Sequence, residues 1–308
     1  MQVSNYWVQF LPVALVFVSF SLAIGLLAVA RRIQRRERRT PLTRDLLRNP
    51  GESLREQVDD LGMDLSFYPL MLMAVPLLLG MQLLLQSRAT QQPITPRILI
   101  PYAIALVGFT LFLMVQLVRT WRKRHRLRLG LECEMAVGQE LNQLMLLGCR
   151  VYHDFPAEGF NIDHVVIGPA GVYAVETKGR PKPDKGGGQE EARVVYDGKR
   201  LQFPGWSETE PIAQARRQAQ WLAQWLKSAV GEPVPVFPAL ALPGWYIDRK
   251  ARDMVVFNAK NPGFLATPRG ARALSDEIIQ RVAHQVEQRC RTVEPVAYGK
   301  KKNKIQHR

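Results

Sequence analysis

The sequence predicts an α/β domain, a mixed central sheet flanked by helices, carried behind three transmembrane α-helices. Three observations predict it. All long uncharged apolar runs lie before residue 119. From residue 129 the chain switches to short β-prone segments separated by Gly-rich turns and bracketed by amphipathic helices. The charge divides at the same place: residues 1–128 hold seventeen Lys and Arg against seven Asp and Glu, a net +10 of the chain's +15. The basic excess therefore flanks the apolar runs, and the pI of about 10.1 reports membrane topology more than nucleic-acid binding.

The first run, residues 7–30, is long enough to cross a hydrocarbon core of about 30 Å as a helix. No Lys or Arg precedes it, and the cluster Arg31, Arg32, Arg35, Arg36, Arg38, Arg39 follows it. That is the stop-transfer pattern, the reverse of a cleaved signal peptide. Two further uncharged runs cover 67–86, with Pro69, Pro76 and Gly80, and 98–118. A buried hairpin of a soluble domain would need more surrounding protein than this half offers.

Orientation follows from the short loops. Nine arginines lie in 31–66, against only Arg88 and Arg97 in 87–97, and Arg119, Arg122, Lys123, Arg124, Arg126 and Arg128 follow the third run. The positive-inside rule puts the N-terminus outside, the 31–66 loop inside and the rest of the chain in the cytoplasm, as a multi-pass protein of a bacterial inner membrane. Leu54, Val58 and Leu61 recur at helical spacing in that loop, which reads as a connector helix with one packed face or an interfacial helix. No run contains an Asp, Glu, His, Lys or Arg that could carry a proton or ion, so the spans suit an anchor in the lipid bilayer and not an ion or nucleic-acid pathway. The division expected is an anchor over 1–128, a globular domain over 129–265, and a C-terminal helix with a basic tail over 266–308.

In the globular part, residues 129–147 have the apolar spacing of an amphipathic helix stopped by Gly148. Strands are expected at 149–154, 160–167 and 172–178, the last two joined by the tight turn Gly168-Pro169-Ala170-Gly171. A glycine-rich loop (Gly186, Gly187, Gly188) leads to a hairpin around Asp197-Gly198. A helix opens at Pro211 and runs to 228; strands follow at 234–242 and 254–258, then a helix over 275–291. The tail from Lys300 to Lys304 reads as a solvated charge run. Cys133, Cys149 and Cys290 are scattered, without the paired spacing of a zinc site, and suit reduced thiols.

The 168–171 turn carries the chemistry. If Ile167 pairs with Val172, alternation places Asp163 directly opposite Glu176, with Lys178 on the same face. Slipping the register by one residue would undo this. Two carboxylates at that separation suit Mg²⁺ or Mn²⁺, which polarises a phosphodiester and activates water, while a lysine offsets developing charge. Two readings stand at this point: such a site, or a solvated face with weak ion pairing. Val165, Ile167, Val172 and Ala174 share the face, so the charges end an apolar stripe.

The segments GQELNQLMLLGCRVYHDF, FNIDHVVIGPAGVYAVETKG and PIAQARRQAQWL resemble the NERD (nuclease-related) domain of the PD-(D/E)xK, restriction-endonuclease-like superfamily. The resemblance covers roughly 130–260 and is most specific over IDHVVIGPAGVYAVETKG. It implies a restriction-endonuclease-like core in which Asp163 and Glu176 hold the metal and Lys178 is catalytic. It further implies that Glu140 in the first helix joins the metal site, and that Gln214 and Gln218 form the glutamine helix near substrate. Where the family often has a polar residue after the lysine, this chain has Gly179. The activity implied is Mg²⁺-dependent cleavage of DNA or RNA, with DNA ahead of RNA as the expected partner and no organic cofactor; a homo-oligomer is left open. A non-catalytic binding or sensing module on the same fold is the rival reading. His164 faces away from Asp163 and is expected to pack against a helix, and Asp154 to serve a turn. Arg180, Lys182 and Lys185 offer phosphate contacts or are a plain solvated loop. Trp221 and Trp225 read as core packing ahead of base stacking.

Overall fold

The computed structural model describes residues 18, 21–30, 40–183, 188, 190–268 and 273–296. The chain divides into two compact units: Asp45–Asp60 with Arg124–Val293, and the segments Met1–Arg44, Leu61–Lys123 and Glu294–Arg308. The boundaries expected at 128 and 265 are not where the units divide.

Two helices are long and apolar enough to cross a membrane: α2 (Glu52–Thr90) and α3 (Pro96–Asn142, prolonged by a 3-10 turn to Leu147). Their most apolar windows are 0 % and 6 % buried, whereas a core helix of a soluble domain would be covered. A shorter apolar helix, α1, is described over Ser21–Ala30. The remainder of the first expected span, Val18 aside, lies outside the described residues, as do Arg31–Arg39, Lys185 and the Lys300–Lys304 tail. The basic stretch after the third run does not interrupt the helix, so the helix expected at 129–147 is the distal part of α3. Residues 119–128 are mostly Arg, Lys and Leu, good helix formers, and extending an existing helix needs no new nucleus.

The globular unit is mixed α/β. Its main sheet has the order β10-β8-β4-β3-β2, built from β2 (Arg150–Pro156), β3 (Asn161–Gly168), β4 (Gly171–Thr177), β8 (Val236–Ala241) and β10 (Val255–Phe257). β2, β3 and β4 pair antiparallel, while β4–β8 and β8–β10 are parallel. One face, with Val165, Ile167, Val172 and Ala174, packs on α4 (Glu210–Val230) and α5 (Asp276–Cys290). The other, with Val166, Tyr173 and Val175, packs on Val137, Leu141 and Leu144 of α3 and its 3-10 extension. A second sheet, β7-β6-β5-β9, combines the expected hairpin of β5 (Arg193–Tyr196) and β6 (Leu201–Phe203) with two strands the sequence did not reveal, β7 (Trp206–Glu208) and β9 (Tyr246–Arg249).

The segment ahead of α2 is part of this unit. β1 (Leu46–Leu47) pairs antiparallel with β11 (Arg291–Val293), and the Arg48 N–H donates to the Cys290 carbonyl (3.0 Å). Pro50 lies so close to α3 that a Cβ on Gly138 would sit 2.5 Å from its Cγ, so only glycine fits there. Val58 is buried, and Arg124 Nε donates to its carbonyl (3.2 Å). The anchor of the segment is Asp154, 3 % exposed, with a left-handed backbone (φ 47°) inside β2. Its Oδ2 accepts from Arg48 Nε (2.8 Å) and Nη2 (2.6 Å) and from the backbone N–H (2.9 Å) and hydroxyl (2.8 Å) of Ser53. Asp154 thus serves no turn; it closes the first turn of α2, where a helix N-terminus favours a carboxylate. Leaving its charge buried and unpaired would cost about 3–5 kcal/mol.

A fragment of residues 124–296 is therefore expected to melt well below the full unit, and a synthetic peptide of residues 45–60 in excess is expected to raise its melting temperature. A fragment indifferent to the peptide in thermal melts would contradict this packing.

Candidate active site

The turn at 168–171 sets the register that brings the site together. Ile167 pairs with Val172, Val166 with Tyr173, Val165 with Ala174 and His164 with Val175. One step further places Asp163 opposite Glu176, and Asp163 Oδ2 accepts the N–H of Thr177 at 2.6 Å. Glu176 is 2 % exposed; its Oε1 accepts from Lys178 Nζ at 2.5 Å, and its Oε2 from Gln218 Nε2 at 2.5 Å. The apolar stripe on this face of the sheet ends in a buried ion pair.

Gln218 reaches Glu176 from α4, one turn beyond half-buried Gln214. Its Nε2 also donates to the Asn161 carbonyl (3.2 Å). Both neighbours are acceptors, which fixes the amide orientation and leaves Oε1 buried without a partner. Of the two expected glutamines, only Gln218 is joined to the carboxylates.

The helical acid that joins them is Glu134, which sequence reasoning missed. Glu134 is 8 % exposed, and its pKa is pushed from 4.5 to about 8, chiefly by burial and then by Asp154 and Glu176, with Lys178 opposing. Asp163 is driven well above the ordinary carboxylate range by burial, then by Glu176 and Glu134, against the Thr177 N–H and Lys178. The expected Glu140 is not brought into this group: its carboxylate accepts from Gln143 Nε2 at 3.2 Å. Six residues along a helix turn the side chain by roughly 240°, away from the buried stripe. A signal was present, because Glu134, Val137, Leu141 and Leu144 fall at helical spacing and all are buried. An acid heading an apolar stripe marks a site more sharply than one beside it.

Gly179 has a steric reason. A Cβ there would meet Cys133 Sγ at 2.8 Å and the Leu129 carbonyl at 3.3 Å, so the chain leaving Lys178 passes directly against α3. His164 is fully buried on the α3 side, as expected: its Nδ1 meets His153 Nδ1 at 2.9 Å, its Nε2 meets the Thr177 hydroxyl at 3.2 Å, and His153 Nε2 meets Asn142 Oδ1 at 3.0 Å. Burial lowers both imidazoles, His153 to about 4, so the pair stays neutral at physiological pH. The Arg180 fork is taken by Glu208 (2.8 and 2.7 Å), while Lys182 is exposed. Trp221 and Trp225 pack with Phe155 against the α4–α5 core, as expected.

Among the described residues, no group of three or more His, Cys, Asp or Glu is placed to hold a metal ion. Mg²⁺ needs only one or two protein carboxylates, because water and phosphate fill its other positions. Two observations fit such a cation. Three desolvated carboxylates face a single lysine, and a buried amide oxygen beside them has no donor.

The main sheet of this α/β unit thus ends in an acid–lysine–glutamine cluster. Residues 129–243 match the model of the NERD family, the nuclease-related domain. No curated protein and no solved structure matches the chain. The match leaves out 45–60, β10 and α5, all of them part of the same compact unit.

Glu134 contributes stability in full below its unfolded value of 4.5, and that contribution is lost as pH rises through about 8. The lowered His153 acts in the opposite sense, but only below 6.5. Between pH 6.5 and 8, chelator-treated protein is therefore expected to lose melting temperature as pH rises, and Glu134→Gln is expected to flatten the slope. A profile unchanged by the substitution would place Glu134 outside the cluster.

Proposed function

We propose that this protein is a membrane-anchored, Mg²⁺-dependent nuclease acting on DNA or RNA at the cytoplasmic face of a bacterial inner membrane. The observation that carries the reading is the meeting of Asp163, Glu176, Lys178, Gln218 and Glu134 at one end of the main sheet, inside the segment that matches the nuclease-related family. Anchoring is supported by the two long apolar helices with uncovered surfaces, and orientation by the arginines of 31–66 and 119–128.

Asp163 and Glu176 would hold the ion and Glu134 would supply further negative charge. When bound, such an ion polarises the phosphodiester and acidifies a coordinated water. Lys178, 21 % exposed while its partner Glu176 is buried, can turn its ammonium toward the attacked phosphate and neutralise charge that develops there. Gln218 keeps Glu176 Oε2 in place and has its own buried Oε1 left to accept a donor or a cation. Glu134 and Asp163, raised chiefly by burial and then by neighbouring carboxylates, would release their protons when a cation arrives, so ion binding should tighten as pH rises through about 8. Lys182 is exposed four residues beyond Lys178 and offers a phosphate contact; Arg180 would first have to leave Glu208.

Full-length protein in detergent, supplied with Mg²⁺ or Mn²⁺, is expected to cleave DNA or RNA. Asp163→Ala and Lys178→Ala should each lower kcat by roughly a hundredfold or more, compared well below each variant's melting temperature because Lys178→Ala also strands the buried Glu176 carboxylate. Wild type that cleaves neither polymer, or variants that cleave equally well, would leave the fold as a non-catalytic module.

A further inference from the structure

The segment between the two long apolar helices and the preceding basic cluster does more than complete the fold. A continuous hydrogen-bonded path runs from it to the carboxylate site. Arg48 Nη2 donates to Ser53 Oγ (2.6 Å) as well as to Asp154 Oδ2 (2.6 Å). The Asn161 side-chain amide donates to Ser53 Oγ (2.5 Å) and to Asp154 Oδ1 (3.0 Å). The carbonyl of the same Asn161 accepts from Gln218 Nε2, and that amide holds Glu176 Oε2. Donor and acceptor roles agree throughout: Ser53 Oγ accepts twice and donates its one proton to Asp154 Oδ2.

Asn161 is the joint of this path. It opens β3 two residues before Asp163, so its backbone sets where that strand begins, while its side chain is clamped by Ser53 and Asp154. The left-handed backbone of Asp154, uncommon for a residue other than glycine, lies within a β2–β3 register that is the same before and after it, with His153 opposite His164 and Phe155 opposite Ile162. A backbone conformation of this kind persists where surrounding contacts over-determine it. Five hydrogen bonds to the Asp154 carboxylate, from Arg48, Ser53 and Asn161, do so here.

We propose that Arg48 and Ser53 are positioning residues of the carboxylate site: through Asp154 and Asn161 they hold Gln218 against Glu176, so the chain leading into α2 sets the geometry of the centre. The proposal rests on the ion-binding reading of that centre. Groups that hold the ligands of a metal commonly affect affinity or activity by roughly tenfold to a hundredfold when removed. Neither Arg48 nor Ser53 lies within the segment that matches the nuclease-related family.

The test uses the full chain in detergent with Mn²⁺ as the probe. Arg48→Ala is expected to weaken Mn²⁺ binding, read by electron paramagnetic resonance, by at least tenfold, and to lower kcat with KM for nucleic acid little changed. Arg48→Lys is expected to restore a substantial part of both. The side-chain amide resonance of Gln218 in protein labelled with ¹⁵N-glutamine, assigned by its loss in Gln218→Leu, reads the held geometry without metal or turnover. It should move toward a solvated position in Arg48→Ala and return in Arg48→Lys. A folded Arg48→Ala protein that leaves this resonance in place overturns the proposal, as does one with a moved resonance and unchanged Mn²⁺ affinity. Should Arg48→Ala not fold, Ser53→Ala, which keeps the backbone N–H bond to Asp154, decides by the same readings. Wild type that binds no Mn²⁺ refutes the ion-binding reading instead, and the resonance then decides the positioning alone.

Discussion

Three carboxylates, Glu134, Asp163 and Glu176, share a desolvated space with one ammonium, that of Lys178, and each acid raises the cost of ionising its neighbours. Much of the local architecture bears on that imbalance. Gln218 and the Thr177 N–H donate to it, Gly179 lets α3 come close enough to add Glu134, and the sheet carries Asp163 and Glu176 to the same end. Burial first, and the neighbouring carboxylates second, shift Glu134 and Asp163 upward, so without a cation both hold their protons more tightly than free carboxylates. A divalent ion would resolve the imbalance by a different route, and the price of folding around excess negative charge would then be recovered on binding. Structural ion pairs seldom leave such an excess, so the imbalance itself points to function.

The unit that houses the cluster is not a contiguous stretch of chain. Asp45–Asp60 belongs to it, and the first turn of α2 receives the Asp154 carboxylate, so a helix apolar enough to enter a bilayer has its start bound into the globular body. The buried Arg48–Asp154 pair is the element most exposed to single substitutions, since removing one partner strands the other. The chain leaves the globular unit after Asp60 and returns to it at Arg124 along α3.

Much of the site was legible in the sequence because strand alternation and a tight turn are short-range rules. Placing the turn at Gly168–Gly171 was enough to set Asp163 against Glu176 and to send His164 to the other face. Helical positions were harder. Glu140 was carried over by resemblance, whereas the rotation of α3 selects Glu134, and the choice depends on which stripe of the helix meets the sheet. Leu54 and Val58 were read as one face of a connector, but the fixing contacts of that segment, Arg48 and Ser53 to Asp154, are polar and span about a hundred residues, so no local pattern reveals them. The strands β7 and β9 escaped notice because three or four residues with partly exposed side chains carry little alternation. Asp154 read as a turn residue because the first strand was expected to end there, yet β2 continues through it to Pro156 with a left-handed backbone at Asp154.

The central proposal is that Asp163 and Glu176 hold a cation and that Glu134, and not the Glu140 that resemblance suggested, adds negative charge beside them. Calorimetric titration of Mn²⁺ into wild type, Glu134→Gln and Glu140→Gln at pH 8 tests it most directly. The account expects Glu134→Gln to weaken binding by roughly tenfold or more and Glu140→Gln to leave it unchanged. Equal binding by wild type and Glu134→Gln, with loss confined to Glu140→Gln, would contradict it.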